Sequence, residues 1–469
     1  MTTVPPESKG KIIARAIEAY KSSEAFQSAL DANMYFQGNS PVIDKKTLLR
    51  GRVISFETED GFTKNRFENE EIAGNRICNN FLFHFVTQEN QYLLGNGVVL
   101  DTPATKERLG AGFDKALEKV GEKALLHGVS WAFWNKDHIE PISAAKDANS
   151  GFVALLDEMT GVAMVGIQFW QISDNKPMCV RLFEVDGITE YRQLRGGDLV
   201  VPEGHQKRAY LSSVFRDGAG EMEIDSRNYD VLPIIPLYAN DDATSELTQS
   251  VKSKIDLYDR ILSDFGDNLD RANDVYWVLN NFSGSVTDIA VMFEYINRLK
   301  AVVNQGDGVS GGATAEPKTL EVPYQARQAA LELLRKALYE DYMALNMEEI
   351  SGGSLTNVAI QAATTNLNLK VDRFEWQCFD FVQRVLRLIG VETEKISFTR
   401  QTLINKSEII NDIYVMQGDL DRETRLQLNP YILQEDIPDI ISKVEAEQTS
   451  GLTNMDELQR LMDEKEEDE

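Results

Sequence analysis

The chain has 469 residues, 42% of them hydrophobic and 26% charged, and its formal net charge at pH 7 is −27. This composition is ordinary for a folded water-soluble protein, and the length allows two to four domains. The acidity argues against tight binding of nucleic acid, which needs clusters of Lys and Arg, and no apolar run approaches the ~18 residues that a membrane span requires.

The N-terminal quarter of the sequence is predicted to be mainly helical. Its first residues, MTTVPPESKGK, lack the apolar core of a signal peptide, so we expect the protein in a cytoplasm. Helices are predicted over 8–34, 67–94 and 104–127. The last two patterns stop at Gly95 and Gly128, and glycine just past the last apolar position commonly ends a helix.

A β-rich region is predicted from 129 to 238. Short runs such as VSWAFW, FVALLD and MCVRLFEV are rich in β-branched and aromatic residues, and turns rich in Gly, Asn and Asp separate them. The runs predict a mixed, largely antiparallel β region. The stretch VLPIIPLYANDD at 231–242 combines two prolines with an acidic turn, which predicts an element boundary there.

A long amphipathic helix is predicted from about 245 to 273. Its apolar residues recur in steps of four and three, which places them on one stripe of the helix. The stripe comprises Leu247, Val251, Ile255, Tyr258, Leu262, Phe265 and Leu269. The other face carries Asp256, Asp259, Asp264, Asp267, Asp270 and Asp274.

Two more long helices are predicted further along the chain, after a stretch of short mixed pieces that ends in a Gly-rich loop. The first begins at Pro323 and runs to about Met347, and the second covers about 356–389. Between them, EEISGGSLTN holds Gly352 and Gly353, each of which would cost roughly 1 kcal/mol inside a helix relative to Ala. Short helices and an acidic tail complete the sequence.

Motifs that would carry enzymatic chemistry are weak or missing in the sequence. There is no GxxxxGK[ST] and no HExxH, and the four His lack metal-ligand spacing. Residues 308–312 match GxSxG, but a nucleophile elbow needs a strand before it and a helix after it, and these flanks are loop-like. Adjacent acids such as Asp241 and Asp242 are expected by chance among 75 acidic residues. The three Cys lack paired spacing and are predicted to be reduced. We therefore predict no catalytic residue, no cofactor and no metal site.

Several stretches, in this order along the chain, resemble the portal (head-to-tail connector) proteins of siphovirus-type tailed phages. NRICNNFLFHFVTQENQYLLG resembles a family helix that ends in a Tyr-Leu-Leu-Gly-like turn, and HGVSWAFWN resembles its Gly-x-x-Trp strand. NKSEIINDIYVMQGDLDRETRLQLNPYI resembles a segment with Gly followed by Ser-x-Glu-Thr, with Asp421 in place of that Ser. The resemblance covers roughly 67 to 447, and Asp421 is expected to alter a helix cap.

The resemblance implies an α+β portal fold with named parts. The wing would be 1–244, with the N-terminal helices and the mixed β region. The ranges 245–274 and 323–347 would be the two stem helices, with a small α/β clip at 275–322 between them. A tunnel loop at 348–357 would contain Ser351, Gly352, Gly353, Ser354, Thr356 and Asn357. The range 358–400 would be a long wing helix with a following strand, and 401–469 an α-helical crown with the acidic tail.

The resemblance also implies a function and partners. The chain would form a homo-oligomeric ring of about twelve subunits by head-to-tail contacts, at one capsid vertex of the virion. Double-stranded DNA would pass through it during packaging and ejection. The terminase motor, neck or adaptor proteins, and the major capsid and scaffolding proteins would be its partners, without a membrane. The apolar stripe of the first stem helix would be buried against its partner helix and the neighbouring subunit, and the acidic face would be left for the channel or the exterior. A channel lined with Lys would hold DNA, whereas an acidic or neutral one lets it slide.

Two other functions remain open on the sequence alone. One is a helical scaffold or adaptor of the virion that is not a portal, against which the Gly-Ser break between two long helices argues. The other is a hydrolase or nuclease in an unfamiliar fold, against which the missing nucleophile–base or metal constellation argues.

Overall fold

A computed structural model describes the chain in several ranges. They are 8–57, 63–157, 159, 162–173, 175–194, 197–216, 222–272, 276–280, 301–304, 314–318, 324–347, 356–393, 395–401, 406–416, 421–429, 437 and 440–443. The chain divides into two compact units. The first unit comprises Met1–Ala344 and Leu367–Gln401, and the second comprises Leu345–Asn366 and Thr402–Glu469.

The helices of the described ranges are numbered here in chain order. They are α1 (Lys9–Lys21), α2 (Glu24–Phe36), α3 (Pro41–Asp44), α4 (Phe81–Leu94), α5 (Pro103–Glu107), α6 (Phe113–His127), α7 (Gln249–Ala272), α8 (Tyr324–Tyr342), α9 (Asn357–Leu388), α10 (Lys406–Val415) and α11 (Arg422–Leu428). The helices α10 and α11 and the first ten residues of α9 belong to the second unit.

The strands are also numbered in chain order. They are β1 (Thr47–Glu57), β2 (Thr63–Ala73), β3 (Val98–Leu100), β4 (Val129–Asn135), β5 (His138–Ser143), β6 (Ala145–Asp147), β7 (Ser150–Leu156), β8 (Ala163–Trp170), β9 (Cys179–Glu184), β10 (Gly187–Gln193), β11 (Leu199–Val200), β12 (Leu211–Arg216), β13 (Met222–Arg227), β14 (Ile234–Tyr238), β15 (Tyr276–Asn280), β16 (Ala301–Asn304), β17 (Thr314–Lys318) and β18 (Ile396–Phe398).

Antiparallel pairing dominates the described sheets. The largest sheet has the order β11-β10-β9-β8-β7-β6, and a second sheet has the order β14-β4-β5. The pairs β1-β2, β12-β13 and β18-β3 are antiparallel ribbons, and β15 pairs parallel with β16 and antiparallel with β17. Successive strands joined by short turns can only pair antiparallel, which is why the short β-like runs build meanders.

Two apolar clusters form the core of the β region. In the first, α1 and α2 cover one side of the six-stranded sheet, with Ile17 and Phe26 against Ile167 and Phe169. The second is aromatic and includes Trp131, Phe152 and Phe183. Alternate strand residues point to one face, so each strand contributes every second side chain to a core.

The structure confirms the α+β class and the β region at 129–238, and it corrects three helix predictions. The helical region predicted over 8–34 is two helices, α1 and α2, with Ser22 and Ser23 between them. Residues 63–73 are a strand and not the start of a helix, because they pair with β1 over eleven residues, and α4 begins only at Phe81. The predicted helix over 104–127 is divided into α5 and α6. Gly110 and Gly112 lie between them with φ of +85° and +88°, a backbone conformation that a right-handed helix cannot contain.

Candidate functional site: the paired long helices

The helices α7 and α8 lie side by side and antiparallel. Near one end of the pair, the rings of Phe265 and Tyr324 have centroids 6.0 Å apart, and Arg327 donates a hydrogen bond of 3.2 Å to the backbone oxygen of Asp264. Near the other end, Lys254 forms an ion pair with Asp341. These are the two long helices predicted over 245–274 and 323–347, and each is a few residues shorter than predicted.

The residues that α7 buries follow steps of four, and Leu247, just before the helix, is buried as well. The buried row of α7 consists of Val251, Ile255, Asp259, Ser263 and Asp267. A step of four residues turns about 40° past a full helical turn, so over four steps this row winds about 160° around the helix. The row therefore starts on the predicted apolar stripe and ends on the acidic face.

The rest of the apolar stripe is only partly covered in a single subunit. Tyr258, Leu262 and Phe265 are half-buried, and Leu269 is 47% exposed. Tyr258 makes an edge-to-face contact with Phe81 of α4, with ring centroids 5.0 Å apart. The second half of the stripe therefore keeps apolar surface that the chain itself does not fully cover.

The acidic face of α7 is occupied by the protein's own N-terminal region. We call residues 74–80, which precede α4, the strap. The backbone N–H of Asn75 donates to Asp267 Oδ1 at 2.6 Å, that of Ile77 donates to Ser263 Oγ at 3.0 Å, and the amide group of Asn79 donates to Asp259 Oδ1 at 2.7 Å. The strap therefore runs antiparallel to α7 and contacts it at every second strap residue.

The register between strap and helix has a simple geometric basis. Two residues of extended chain advance about 6.6 Å, and four residues of helix advance about 6 Å. Steps of two along the strap therefore match steps of four along α7. Asp259, Ser263 and Asp267 can all accept hydrogen bonds, and their spacing is the sequence signal for this contact. The spacing does not show which residues donate to them.

Further groups of the N-terminal region bind the same face. Tyr35 and Ser40 donate to Asp256 Oδ1 at 2.5 and 2.9 Å, and Lys46 forms ion pairs of 2.6 Å with Asp267 and 2.9 Å with Asp264. The expectation that the acidic face is left for a channel or the exterior is therefore wrong for Asp256, Asp259 and Asp267. Asp274 lies outside the described residues.

The environment shifts the pKa values of two of these carboxyl groups in opposite directions. Burial raises the pKa of Asp259 to about 6, although the hydrogen bonds from Asn79 oppose this shift. Burial also acts on Asp267, but hydrogen bonds from Lys46 and from Asn75 outweigh it and hold the pKa of that carboxyl below its ordinary value. Asp267 is thus held as a charged acceptor for Lys46.

Most of the predicted tunnel-loop residues lie outside the described part of the chain. These are Ser351, Gly352, Gly353 and Ser354; the GxSxG match at 308–312 also lies outside it. Thr356 directly precedes α9, and its hydroxyl accepts a hydrogen bond of 3.2 Å from the backbone N–H of Ala359. Asn357 is the first residue of that helix. Thr356 therefore acts as a helix cap.

Other positions singled out in the sequence have structural partners. Asp241 accepts a hydrogen bond of 2.7 Å from Gln377, and Asp421 accepts one of 3.1 Å from the backbone N–H of Thr424 as the N-cap of α11. The Asp421 departure thus keeps a helix cap. Cys378 is buried, Cys78 and Cys179 are half-buried, and all three are free thiols.

Metal-binding clusters and membrane-spanning helices are both missing from the described ranges. Across them, no three or more His, Cys, Asp or Glu side chains are grouped so that they could hold a metal ion. No helix in the same ranges combines the length and the apolar composition that crossing a bilayer requires. What the site presents is a long helix pair on which carboxylates of the first helix act as acceptors for neighbouring chain segments.

Comparison with known proteins identifies the family to which the chain belongs. The family model described as "Phage portal protein, SPP1 Gp6-like" matches residues 19–469. The portal protein of Clostridium phage phiCD119 is 22% identical over 423 residues, which cover 87% of this chain and 90% of that protein. The portal protein of Bacillus phage SPP1 is 27% identical over 233 residues, which cover 46% of this chain and 44% of that protein.

The chain therefore belongs to the SPP1 Gp6-like family of phage portal proteins. The resemblance stated from the sequence and the portal function that it implied are confirmed. Members of this family are structural components of the virion. Family membership implies an oligomeric ring at the capsid vertex that works with DNA and with packaging partners.

Proposed function

We propose that about twelve copies of this chain form a closed ring in which α7 and α8 are the stem helices that surround a channel for double-stranded DNA. The observation that supports this most is apolar exposure on the helix pair. Leu333 is 71% exposed and Tyr324 57%, and Leu257 and Leu269 are exposed as well. Exposed large apolar side chains on adjacent helices are a feature of surfaces that another protein covers.

A neighbouring copy is the partner that best fits this surface. In a closed ring, one patch on each subunit meets a different patch on the next subunit, so the same contact recurs around the ring. The acidic face of α7 is already bound to the strap, so the apolar remainder of α7 and the exposed side of α8 are left for the neighbour. This assigns the stem packing residues Leu262, Phe265 and Leu269 to the boundary between subunits.

The remaining parts are assigned by the same proposal. Residues 1–244 are the wing, 275–322 the clip, 348–357 the tunnel loop and 401–469 the crown with the acidic tail. The clip docks the terminase motor during packaging and the neck or adaptor proteins afterwards, while the outer surface meets the major capsid and scaffolding proteins. Assembly takes place in the host cytoplasm, and the motor ATPase is a separate polypeptide.

The charge of the chain is compatible with DNA passage. A channel that repels phosphate weakly holds no duplex in place, whereas Lys clusters would bind it through counterion release. The net charge of −27 favours passage over binding. Because Asp256, Asp259 and Asp267 are bound within the subunit, the proposal assigns the channel lining to other groups, with the tunnel loop as its narrowest part.

The assembly is tested by native mass spectrometry and electron microscopy of the purified chain. We expect a ring with a central hole for the native chain and loss of the ring in Leu333→Asp, which places a charge in the proposed contact. Ile172→Asp is the matched control, because Ile172 is 81% exposed in the β region and away from the helix pair. A native chain that stays monomeric or forms only two-fold dimers under all conditions would contradict the proposal.

The tunnel loop is tested by the double variant Gly352→Ala with Gly353→Ala. Short polar groups at Ser351, Ser354 and Thr356 can bind phosphates only through neutral hydrogen bonds of ~1 kcal/mol each, which break as DNA advances. The glycines would allow the loop to shift with the passing groove. We expect rings to form normally while DNA packaging falls, and a normal packaging rate would reduce the loop to a connector.

A further inference from the structure

The chain passes between the two compact units three times: it leaves the first unit after Ala344, re-enters it at Leu367 and leaves it again after Gln401. The residues just inside these crossings are Tyr342 at the end of α8, Asn368 and Lys370 on α9, and Arg400 after β18. Each of them takes part in one of two polar clusters, and both clusters include a residue of α4.

The first cluster surrounds Glu89, which is 1% exposed. The hydroxyl of Tyr342 donates to Glu89 Oε2 at 2.8 Å, and Lys370 Nζ lies 3.3 Å from the same oxygen and 2.6 Å from Glu246 Oε2. Lys370 also donates to the backbone oxygen of Tyr342 at 3.0 Å, and its ammonium lies 3.2 Å from the centre of the Tyr342 ring. One lysine therefore fixes both the side chain and the last carbonyl of α8.

The second cluster lies one helical turn further along α4, at Tyr92. The hydroxyl of Tyr92 donates to Asn368 Oδ1 at 2.8 Å, and Arg400 donates to the same oxygen at 3.0 Å. Arg400 also forms ion pairs with Asp372 and Glu375, and the backbone N–H of Gln401 donates to the carbonyl of Tyr92 at 2.9 Å. The segment that leaves after Gln401 is thus tied to both α4 and α9.

Stability alone does not account for the first cluster. It places two carboxylates and one ammonium in a buried site, and buried ion clusters are often less stabilising than apolar side chains of the same volume. Burial and the nearby Glu246 raise the pKa of Glu89 to about 7, although Lys370 opposes this shift. What the cluster does provide is directional contacts that hold a helix end in one position.

We propose that Lys370 and Arg400 are positioning residues that fix, against α4, the three places where the chain leaves or re-enters the first unit. One of these is the origin of the segment that leads from Tyr342 to the tunnel loop, so this inference rests on the proposed portal function. The ring contacts proposed above, at Leu269 and Leu333, are at other positions of the helix pair. Loss of either polar cluster should therefore affect DNA passage before it affects ring assembly.

The test compares Lys370→Met with the conservative variant Lys370→Arg and with Lys207→Met as a matched control. Lys207 also pairs with two carboxylates, Glu184 and Asp186, but it lies in the β region. Three quantities are measured: ring formation by native mass spectrometry, nuclease-protected DNA in virions that carry the variant, and amide hydrogen exchange of the purified chain.

For Lys370→Met we expect intact rings, a several-fold loss of protected DNA, and exchange that rises about tenfold at 340–347, with little change in the sheet core at 163–170. Lys370→Arg should recover part of the loss, and Lys207→Met should leave DNA and exchange near 340–347 unchanged. Exchange and packaging at native levels in Lys370→Met would overturn the inference. So would exchange that rises equally across the first unit, because this indicates only a loss of global stability.

The outcomes also separate this inference from the portal proposal. If the native chain forms no ring, the portal proposal fails, and the exchange comparison still decides whether Lys370 fixes the end of α8. If the native chain forms rings and packages DNA, and Lys370→Met does the same with unchanged exchange, the positioning role fails and the portal proposal stands.

Discussion

The parts of α7 before and after Tyr258 bury different faces. In the first part, Val251 and Ile255 are buried, as an amphipathic helix requires. In the second part, Asp259, Ser263 and Asp267 are buried beneath the strap, and Leu269 is exposed. The difference teaches that a helix buries the face for which its own chain supplies partners. Leu269 has no such cover, and the proposed ring assigns its exposed surface to the neighbouring subunit.

The largest expected loss of stability is for a substitution in the first part of α7. Ile255→Ala should lower the free energy of unfolding by about 2–5 kcal/mol, because it leaves a cavity where the side chain was 2% exposed. Denaturant titration of the purified chain measures it. Leu257→Ala is the control on the same turn, because Leu257 is 42% exposed, and it should cost less than about 0.5 kcal/mol. Equal costs for the two variants would contradict the burial pattern.

A smaller loss is expected when the strap loses an acceptor. Asp267→Ala removes the acceptor that binds Lys46 and the backbone N–H of Asn75, both inside the subunit. It should lower the free energy of unfolding by about 1–3 kcal/mol. Asp270→Ala is the matched control, because Asp270 also binds Asn75 but is exposed, and should cost less than about 0.5 kcal/mol. If Asp267→Ala were as mild as its control, the strap would contribute little to the stability of the subunit.

The two carboxyl groups under the strap should give opposite pH dependences. Asp259 has a raised pKa of about 6, so its contribution to stability is fully present below its ordinary pKa of 3.8 and is lost as the pH rises through 6. Asp267 has a lowered pKa, so its contribution is present above pH 3.8 and is lost as the pH falls through the lowered value.

This difference can be measured on one variant. Asp259→Asn fixes a neutral group at that position, so stability at pH 8 should rise by up to about 2 kcal/mol relative to the native chain, with no gain at pH 4. Unfolding titrations at both pH values check it. A loss of stability at pH 8 would show that the ionised form of Asp259 is the one that the strap requires.

The sequence predicted more of the fold than of the site. Periodicity predicted α7, α8 and α9 to within a few residues, because long one-sided patterns depend on local spacing. It did not predict the strap, because the partners of Asp259 and Asp267 lie about 190 residues earlier in the chain and no local pattern joins them. The strand at 63–73 was missed for the same reason, since its eleven residues are held by pairing with β1 and not by their own propensity.

The two polar clusters at Glu89 and Tyr92 were also not predicted from the sequence. Nothing in the spacing of QENQYLL distinguishes a buried Glu from an exposed one, and a Glu on a helix is usually solvated. Its burial is possible because Lys370 and Tyr342, which are distant in the sequence, bind its carboxyl group. The tunnel loop, in contrast, was located by its two glycines and stays a prediction.

The smallest expected effect on the isolated subunit is at the exposed end of the stripe. Leu269→Ala should change the free energy of unfolding of the monomer by less than about 0.5 kcal/mol, because nearly half of the side chain is exposed. It should nevertheless weaken the ring, which native mass spectrometry at falling protein concentration would detect. Rings as stable as the native ones would place Leu269 outside the subunit contact.

The most direct test of the account is an electron cryomicroscopy map of the assembled chain at side-chain resolution. The account predicts a closed ring in which Leu269 and Leu333 contact the neighbouring subunit, while the strap still binds Asp259 and Asp267 of its own subunit. A ring in which Leu269 and Leu333 face solvent, or in which the strap binds α7 of the neighbour, would contradict it.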